Sequence, residues 1–292
     1  MGTWIMSTAS LPRTGVIGLG RMGGAIARRL AAQGFAVSGW SRSGVKAELG
    51  ITACADLGDL AAASDIILLS LTDDAAVRDI AQRLSRANLT RKVIVDTSTV
   101  APDTLKSEAA AIARSGGTAL DAPISGGPDL VAEGKAGLYI GGAKADVARF
   151  MPVAEALSNR IHHVGALGAG AAAKIVNNMM LMGFWETLKE ATLFGKSAGL
   201  DLPKMLEILK GSPAASGAFL HRLPVLLGES DAVGFTVSGV VKDGEMFRRT
   251  AREYGVNVPA IEAAFASYQA HQARGNGEKD LATMVRAAFE EA

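Results

Sequence analysis

Cysteine is almost absent from this sequence: Cys54 is the single one in 292 residues. No internal disulfide can form, and with no CxxC pair and only four scattered histidines (His162, His163, His221 and His271) metal-ligand spacing is missing as well. An excess of charge of either sign is also missing. A net charge of +1 gives no reason to expect nucleic acid or an acidic membrane surface as partner. No apolar run approaches the roughly 18 residues of a membrane span. Residues 1–13 lack the apolar stretch of a signal peptide and read as a disordered leader. No repeat period or low-complexity tract appears. These absences leave a soluble cytoplasmic enzyme as the expected class.

What is present is apolar material for a full core, 49% of the residues, in a length that suggests two domains. In the first half, short runs of Val, Ile and Leu alternate with Ala-rich helical stretches such as Ala75–Ser85 and Asp103–Ser115. The runs are "TGVIGL", "FAVSGW", "DIILLSL", "KVIVDTS", "TALDAP", "AGLYIGG" and "RIHHVG". Near-continuous apolar strands separated by helices predict a largely parallel, doubly wound α/β sheet of the Rossmann type, covered on both faces, over 14–168. Beyond Gly168 no convincing strand is found. The spacing there predicts helices at Ala171–Ala198, Pro203–Lys210, Val240–Tyr254, Pro259–Ala273 and Lys279–Glu291. An all-α domain over 169–292, opening with a long interdomain helix, is therefore expected. The first half of that helix, "KIVNNMMLMGFW", is apolar on nearly every side, the pattern of a buried helix.

The stretch "GVIGLGRMGGAIARRL" places Gly18, Gly20 and Gly23 in a G-x-G-x-x-G array between a strand and a helix. In that setting the first glycine permits the tight turn, the second lets amides approach a pyrophosphate, and the third lets helix and strand pack closely. The helix N-terminus then faces the phosphates. A tight turn without ligand is the alternative. About 20 residues further on, such sheets carry an acid on the ribose hydroxyls when they bind NAD. Here stand Trp40, Ser41, Arg42 and Ser43, with no acid. Arg42 can pair with a 2′-phosphate, with Ser41 and Ser43 as further donors, so NADP(H) is expected; a solvated loop arginine is the other reading.

Three polar stretches need explaining. "VDTSTVAP" puts Ser98 and Thr99 at the carboxyl edge of the sheet, where open α/β folds bind ligands. "DAPISGGP" offers the Ser125 hydroxyl and the amides of Gly126 and Gly127, able to hold a carboxylate or forming an ordinary turn. "GAGAAAKIVNN" places Lys174 and Asn178 at i and i+4 on one helix face. A lysine in an apolar setting is costly unless paired or neutral, and burial lowers its pKa toward the range of a general acid/base. A lysine snorkelling to solvent is the alternative.

Taken in order, "GLGRMG", "DTSTVAP", "DAPISGG", "GAGAAAKIVNN" and "VVKDGEMF" resemble the motifs of the β-hydroxyacid dehydrogenases. That family includes 3-hydroxyisobutyrate dehydrogenases, tartronate- and succinic-semialdehyde reductases and, more distantly, 6-phosphogluconate dehydrogenase. The resemblance runs from about Thr14 to the C-terminus. It implies that Gly18, Leu19, Gly20, Arg21, Met22 and Gly23 hold the cofactor's phosphates, and that Leu71, Thr72 and Thr99 contact its nicotinamide end. It implies that Lys174 exchanges a proton with the substrate oxygen, that Asn178 orients substrate or lysine, and that Ser125, Gly126 and Gly127 bind the substrate carboxylate. Lys242 matches a second lysine that reaches the active site. A homodimer or homotetramer acting on a small molecule is implied, with no metal. Two departures stand out: Gly244 where the family more often has leucine, and Pro128, Glu133 and Lys135 in a variable segment near the carboxylate loop. Imine reductases share the fold and favour NADPH, but they usually lack the lysine at this position. A non-catalytic dinucleotide-binding scaffold would typically have lost it too.

Overall fold

The computed structural model describes residues 11–46 and 49–292. Of the expected leader, residues 1–10 lie outside that description. Arg13, the last residue of that expected leader, is tied to the fold: its guanidinium grips the Asp65 carboxylate through two bonds of 2.7 and 3.1 Å.

Among the described residues nine strands form one sheet: β1 (Thr14–Ile17), β2 (Val37–Trp40), β3 (Thr52–Ala53), β4 (Ile66–Leu69), β5 (Val93–Asp96), β6 (Thr118–Asp121), β7 (Ile124–Ser125), β8 (Ala136–Gly141) and β9 (Ser158–Gly165). Their order is β3-β2-β1-β4-β5-β6-β8-β7, with β9 beside β8. β3 to β6 pair in parallel in that order. The order reverses between β1 and β4, so their carboxyl ends flank the crevice where such sheets bind ligands. Alternate side chains point to opposite faces, and two cores result. Val16, Ile66, Leu68, Val93 and Val95 enter one; Ile17, Ile67, Leu69 and Ile94 enter the other.

The helices between these strands are α1 (Arg21–Ala32), α2 (Leu57–Ala63), α3 (Asp74–Leu84), α4 (Asp103–Lys106), α5 (Ala109–Arg114), α6 (Pro128–Ala132) and α7 (Lys144–Leu157). α1 and α7 supply the first core with Ile26, Leu30, Phe150 and Leu157. α2, α3 and α5 supply the second with Leu60, Val77, Ile80 and Ile112.

The parallel expectation fails at one edge. β8 runs antiparallel to β6 and β7. The run read as one strand to Pro123 ends at Asp121, and Ser125, expected beyond a strand end, lies within β7 opposite Gly137. A proline has no N–H to continue a ladder.

α8 (Ala169–Ser197) is 29 residues long, and two compact units divide within it, between Lys174 and Ile175. The second unit continues with α9 (Leu202–Lys210), α10 (Gly217–His221), α11 (Leu223–Leu227), α12 (Val237–Glu253), α13 (Pro259–His271) and α14 (Thr283–Glu291). α10 and α11 escaped the sequence reading because each is five residues, too short to show a helical period. α14 begins at Thr283, later than expected, because 279–281 instead bond with the segment 235–237. α8 also departs from a helix buried all round. Met182, Trp185 and Leu188 are buried, whereas Val176, Met180 and Phe194 are 65, 74 and 77% exposed in the single chain. Among the described residues no helix is long and apolar enough to cross a membrane.

Candidate active site

In the first unit the glycine loop joins β1 to α1. Gly18 adopts φ +88°, and a side chain at Gly23 would stand 1.8 Å from the Gly18 carbonyl oxygen. Turn and close packing therefore both require glycine. A Cβ at Gly20 would meet nothing within 4 Å. Gly20 also caps α1 without a side-chain bond, and no acid occupies the first turn. A helix N-terminus that carries neither a side-chain cap nor an acid favours an anion, and the uncrowded Gly20 would let a pyrophosphate approach the backbone. Leu19, Arg21 and Met22 complete this loop.

At the end of β2, the Ser41 and Ser43 hydroxyls are 3.1 Å apart and Arg42 between them is exposed. Trp40 is held under the Arg83 guanidinium, 5.3 Å from the ring centre. The loops after β4 and β5 are bound to each other. The Leu71 amide donates to Ser98 Oγ at 2.9 Å, and Thr97 Oγ1 donates to the Leu69 carbonyl at 2.7 Å. Thr72 is exposed and Thr99 half-buried at this edge. β7 presents Ser125, followed by Gly126 at φ +127° and by Gly127 at the start of α6. Pro128, one of the departures noted above, is the first residue of α6, where its missing N–H costs nothing.

Asp96 anchors the β5 loop. Its Oδ1 accepts the Ser98 amide at 2.9 Å; its Oδ2 has no hydrogen-bond partner among the described residues. The side chain is buried opposite Asp121 in the neighbouring strand. Burial pushes its carboxyl up to about 6, against the bonds from Ser98, and the nearby Asp121 and Asp74 carboxylates push the same way. The raised value means that the folded chain retains a proton the unfolded chain has lost. This favours folding at acid pH, and the benefit is lost as pH rises from the ordinary 3.8 through about 6. Asp96→Asn removes the titration and keeps the Ser98 acceptor. Its stability relative to the native chain is expected to rise from about zero near pH 4 to about 3 kcal/mol above pH 7. Urea denaturation across this range reads the difference; a gap independent of pH would refute it.

Lys174 is 8% exposed, and Asn178 stands half-buried one turn later on α8. In the second unit, Asn178 Nδ2 donates to Asp243 Oδ2 at 3.4 Å, and its Oδ1 accepts from Asn177 at 2.9 Å. The Lys242 ammonium lies 2.8 Å from Asp243 Oδ1. Asp243, 2% exposed, thus gathers Asn178 and Lys242. The sequence reading singled out Lys242 and passed over Asp243. The available signal was an acid in step with Val240 and Phe247 on the buried face of α12. Gly244 has a packing reason: a Cβ there would stand 2.8 Å from Phe265 and 2.9 Å from Met182, so glycine lets α8, α12 and α13 come together.

Residues 13–165 match the family model for the NAD binding domain of 6-phosphogluconate dehydrogenase. Residues 168–288 match that for the NAD-binding domain of NADP-dependent 3-hydroxyisobutyrate dehydrogenase. The 2-(hydroxymethyl)glutarate dehydrogenase of Eubacterium barkeri is 31% identical over 282 residues, 94% of each chain. The 2-hydroxy-3-oxopropionate reductase of Escherichia coli is 29% identical, covering 94% of this chain and 96% of the relative. The solved 3-hydroxyisobutyrate dehydrogenase of Mycobacterium tuberculosis with L-serine has the same fold, with TM-score 0.86, 24% identity, and coverage of 95% of this chain and 99% of that one. The two family matches and these relatives make the chain an oxidoreductase with a nicotinamide dinucleotide as cofactor. With both halves matched, and the glycine loop in the form that cofactor requires, the chain belongs to the β-hydroxyacid dehydrogenase family.

Proposed function

We propose that the chain interconverts a small β-hydroxyacid and its semialdehyde or ketoacid with NADP(H), using Lys174 as general acid/base. The observation that carries this reading is a buried lysine one turn before Asn178, on a helix that starts at the ligand-binding edge of the sheet. When bound, the nicotinamide supplies or takes up the hydride. In reduction, negative charge grows on the substrate oxygen, and Lys174 relieves it by giving a proton. In oxidation Lys174 takes that proton back. Asn178, itself held by Asp243, orients the reacting groups. Ser125 Oγ and the amides of Gly126 and Gly127 hold the carboxylate, and Lys242 adds a second cation. Leu71, Thr72 and Thr99 face the nicotinamide end. The exposed Val176, Met180 and Phe194 support assembly as a homodimer or homotetramer, which light scattering tests directly; a single-chain mass would exclude it.

The test is turnover with NADPH against glyoxylate, succinic semialdehyde, methylmalonate semialdehyde and a cyclic imine. Reduction of an acid is expected. Preference for the imine over every acid would overturn the carboxylate assignment and favour an imine reductase. The choice of NADP(H) rests on Ser41, Arg42 and Ser43 with no acid among them. A charge-assisted bond to a 2′-phosphate is worth about 1.5–3 kcal/mol. Arg42→Ala is therefore expected to weaken NADPH binding roughly ten- to a hundredfold while leaving NADH nearly unchanged. Titration of both cofactors decides it, and equal losses would defeat the assignment.

A further inference from the structure

The glycines around the start of α8 are not explained by the cofactor loop or the carboxylate loop. A Cβ at Gly170 would stand 2.2 Å from the Tyr139 carbonyl oxygen, and one at Gly141 would stand 2.3 Å from Asp121 Oδ1. Gly168 adopts φ +96°, with its Cβ direction closed by the Pro102 carbonyl oxygen at 2.8 Å. The helix therefore begins in direct backbone contact with β8 and with the segment that follows Thr99. One side chain fills the junction. Asp121 is the last residue of β6 and 4% exposed. Its Oδ1 accepts the Gly168 amide at 2.7 Å, and its Oδ2 accepts the Ala171 amide at 2.6 Å. Burial holds this carboxyl above its ordinary value, against the downward pull of the amide bonds.

We infer that Asp121 is the positioning residue for Lys174: its carboxylate fastens the first turn of α8 to the ends of β6 and β8 and so fixes where the lysine ammonium stands. Lys174 follows Ala171 by three residues, less than one turn at about 1.5 Å per residue. A shift of the first turn is thus carried to the lysine with little slack. Both amides belong to the set that a helix leaves without internal partners, and a carboxylate there also offsets the positive end of the helix. A cap far from the chemistry would give stability alone. This one is joined to the catalytic turn, and its negative charge favours the protonated form of a nearby lysine.

The inference rests on the assignment of Lys174 as proton donor, so the experiment compares Asp121→Asn, Gly141→Ala, Lys174→Met and the Asp121→Asn/Lys174→Met double variant. The whole chain is used, with NADPH and the semialdehyde of the screen that it reduces best. Asp121→Asn is expected to lower kcat at least tenfold, to leave the KM for NADPH within about twofold, and to move the alkaline limb of the kcat profile to lower pH. Gly141→Ala crowds the carboxylate but keeps its charge. It is expected to lower kcat with the limb in place, and it serves as the test of geometry if Asp121→Asn does not fold. The double variant is expected to be no slower than Lys174→Met. Native kcat and an unmoved limb in Asp121→Asn, beside a crippled Lys174→Met, overturn the positioning role alone. A Lys174→Met variant with native kcat removes the mechanism and the inference together. Multiplicative losses in the double variant show that Asp121 acts independently of the lysine, which also overturns it.

Discussion

Lys174→Met is expected to reduce kcat by about 10²–10⁴ while leaving the fold and NADPH binding intact, a loss equivalent to roughly 3–5 kcal/mol of barrier. Methionine has nearly the length and volume of the lysine stem, so the packing around a position that is 8% exposed is kept and only the proton is removed. The size of the effect follows from where charge develops. Hydride addition to a carbonyl places negative charge on oxygen, and a donor held in a low-dielectric setting relieves it more effectively than water. Asn178 keeps its bond to Asp243 in this variant, so the orienting role proposed for it is left in place. Steady-state kinetics with NADPH gives the result, and Lys242→Met is the comparison, because its ammonium is the other candidate donor. If Lys174→Met turns over at the native rate, proton delivery must come from elsewhere.

Asp280→Ala is expected to destabilise the second unit by about 3–5 kcal/mol, the range for removing one partner of a buried, hydrogen-bonded ion pair. Asp280 is 2% exposed. Its Oδ1 accepts Arg222 Nε at 2.9 Å and the Ala282 amide at 3.0 Å; its Oδ2 accepts the Gly234 and Phe235 amides at 2.9 and 3.2 Å. One carboxylate thus holds together the approach to α11, the segment before α12 and the segment before α14. Removing it leaves a half-buried guanidinium without its counter-charge and several amides without an acceptor. Urea denaturation followed by circular dichroism measures the loss. Asp79→Ala, which breaks only the exposed pair with Arg83, is the comparison and is expected to cost no more than about 0.5 kcal/mol. Equal shifts for the two variants would show that the Asp280 cluster contributes nothing beyond a surface contact.

Much of the fold was legible because local pattern carries it. Ile66–Leu69 and Val93–Val95 are apolar on successive residues, the pattern of a strand covered on both faces, and sheets of such strands are commonly parallel. The glycine loop was legible because Gly18 and Gly23 answer steric demands within a few residues of each other. The i and i+4 placement of Lys174 and Asn178 on one helix needed only helical spacing. The reversal at β8 was not legible, since direction depends on which strand a segment meets, and the short run Ala136–Gly141 carries no local mark that sets it apart from a parallel strand.

By itself the sequence determined the class of fold, the place of the dinucleotide loop, the absence of an acid after β2 and the helix that carries Lys174, each a consequence of contacts between near neighbours in the chain. The tertiary structure alone decided which buried carboxylates matter. Asp96 and Asp121 meet across two strands, Asp121 reaches amides 47 and 50 residues away, Asp243 lies 65 residues from Asn178, and Asp280 gathers groups from three segments. Donors distant in sequence converge on Asp121, Asp243 and Asp280, whereas Asp96 lacks them and is pushed toward its neutral form; either outcome is a property of the folded chain that no local pattern records.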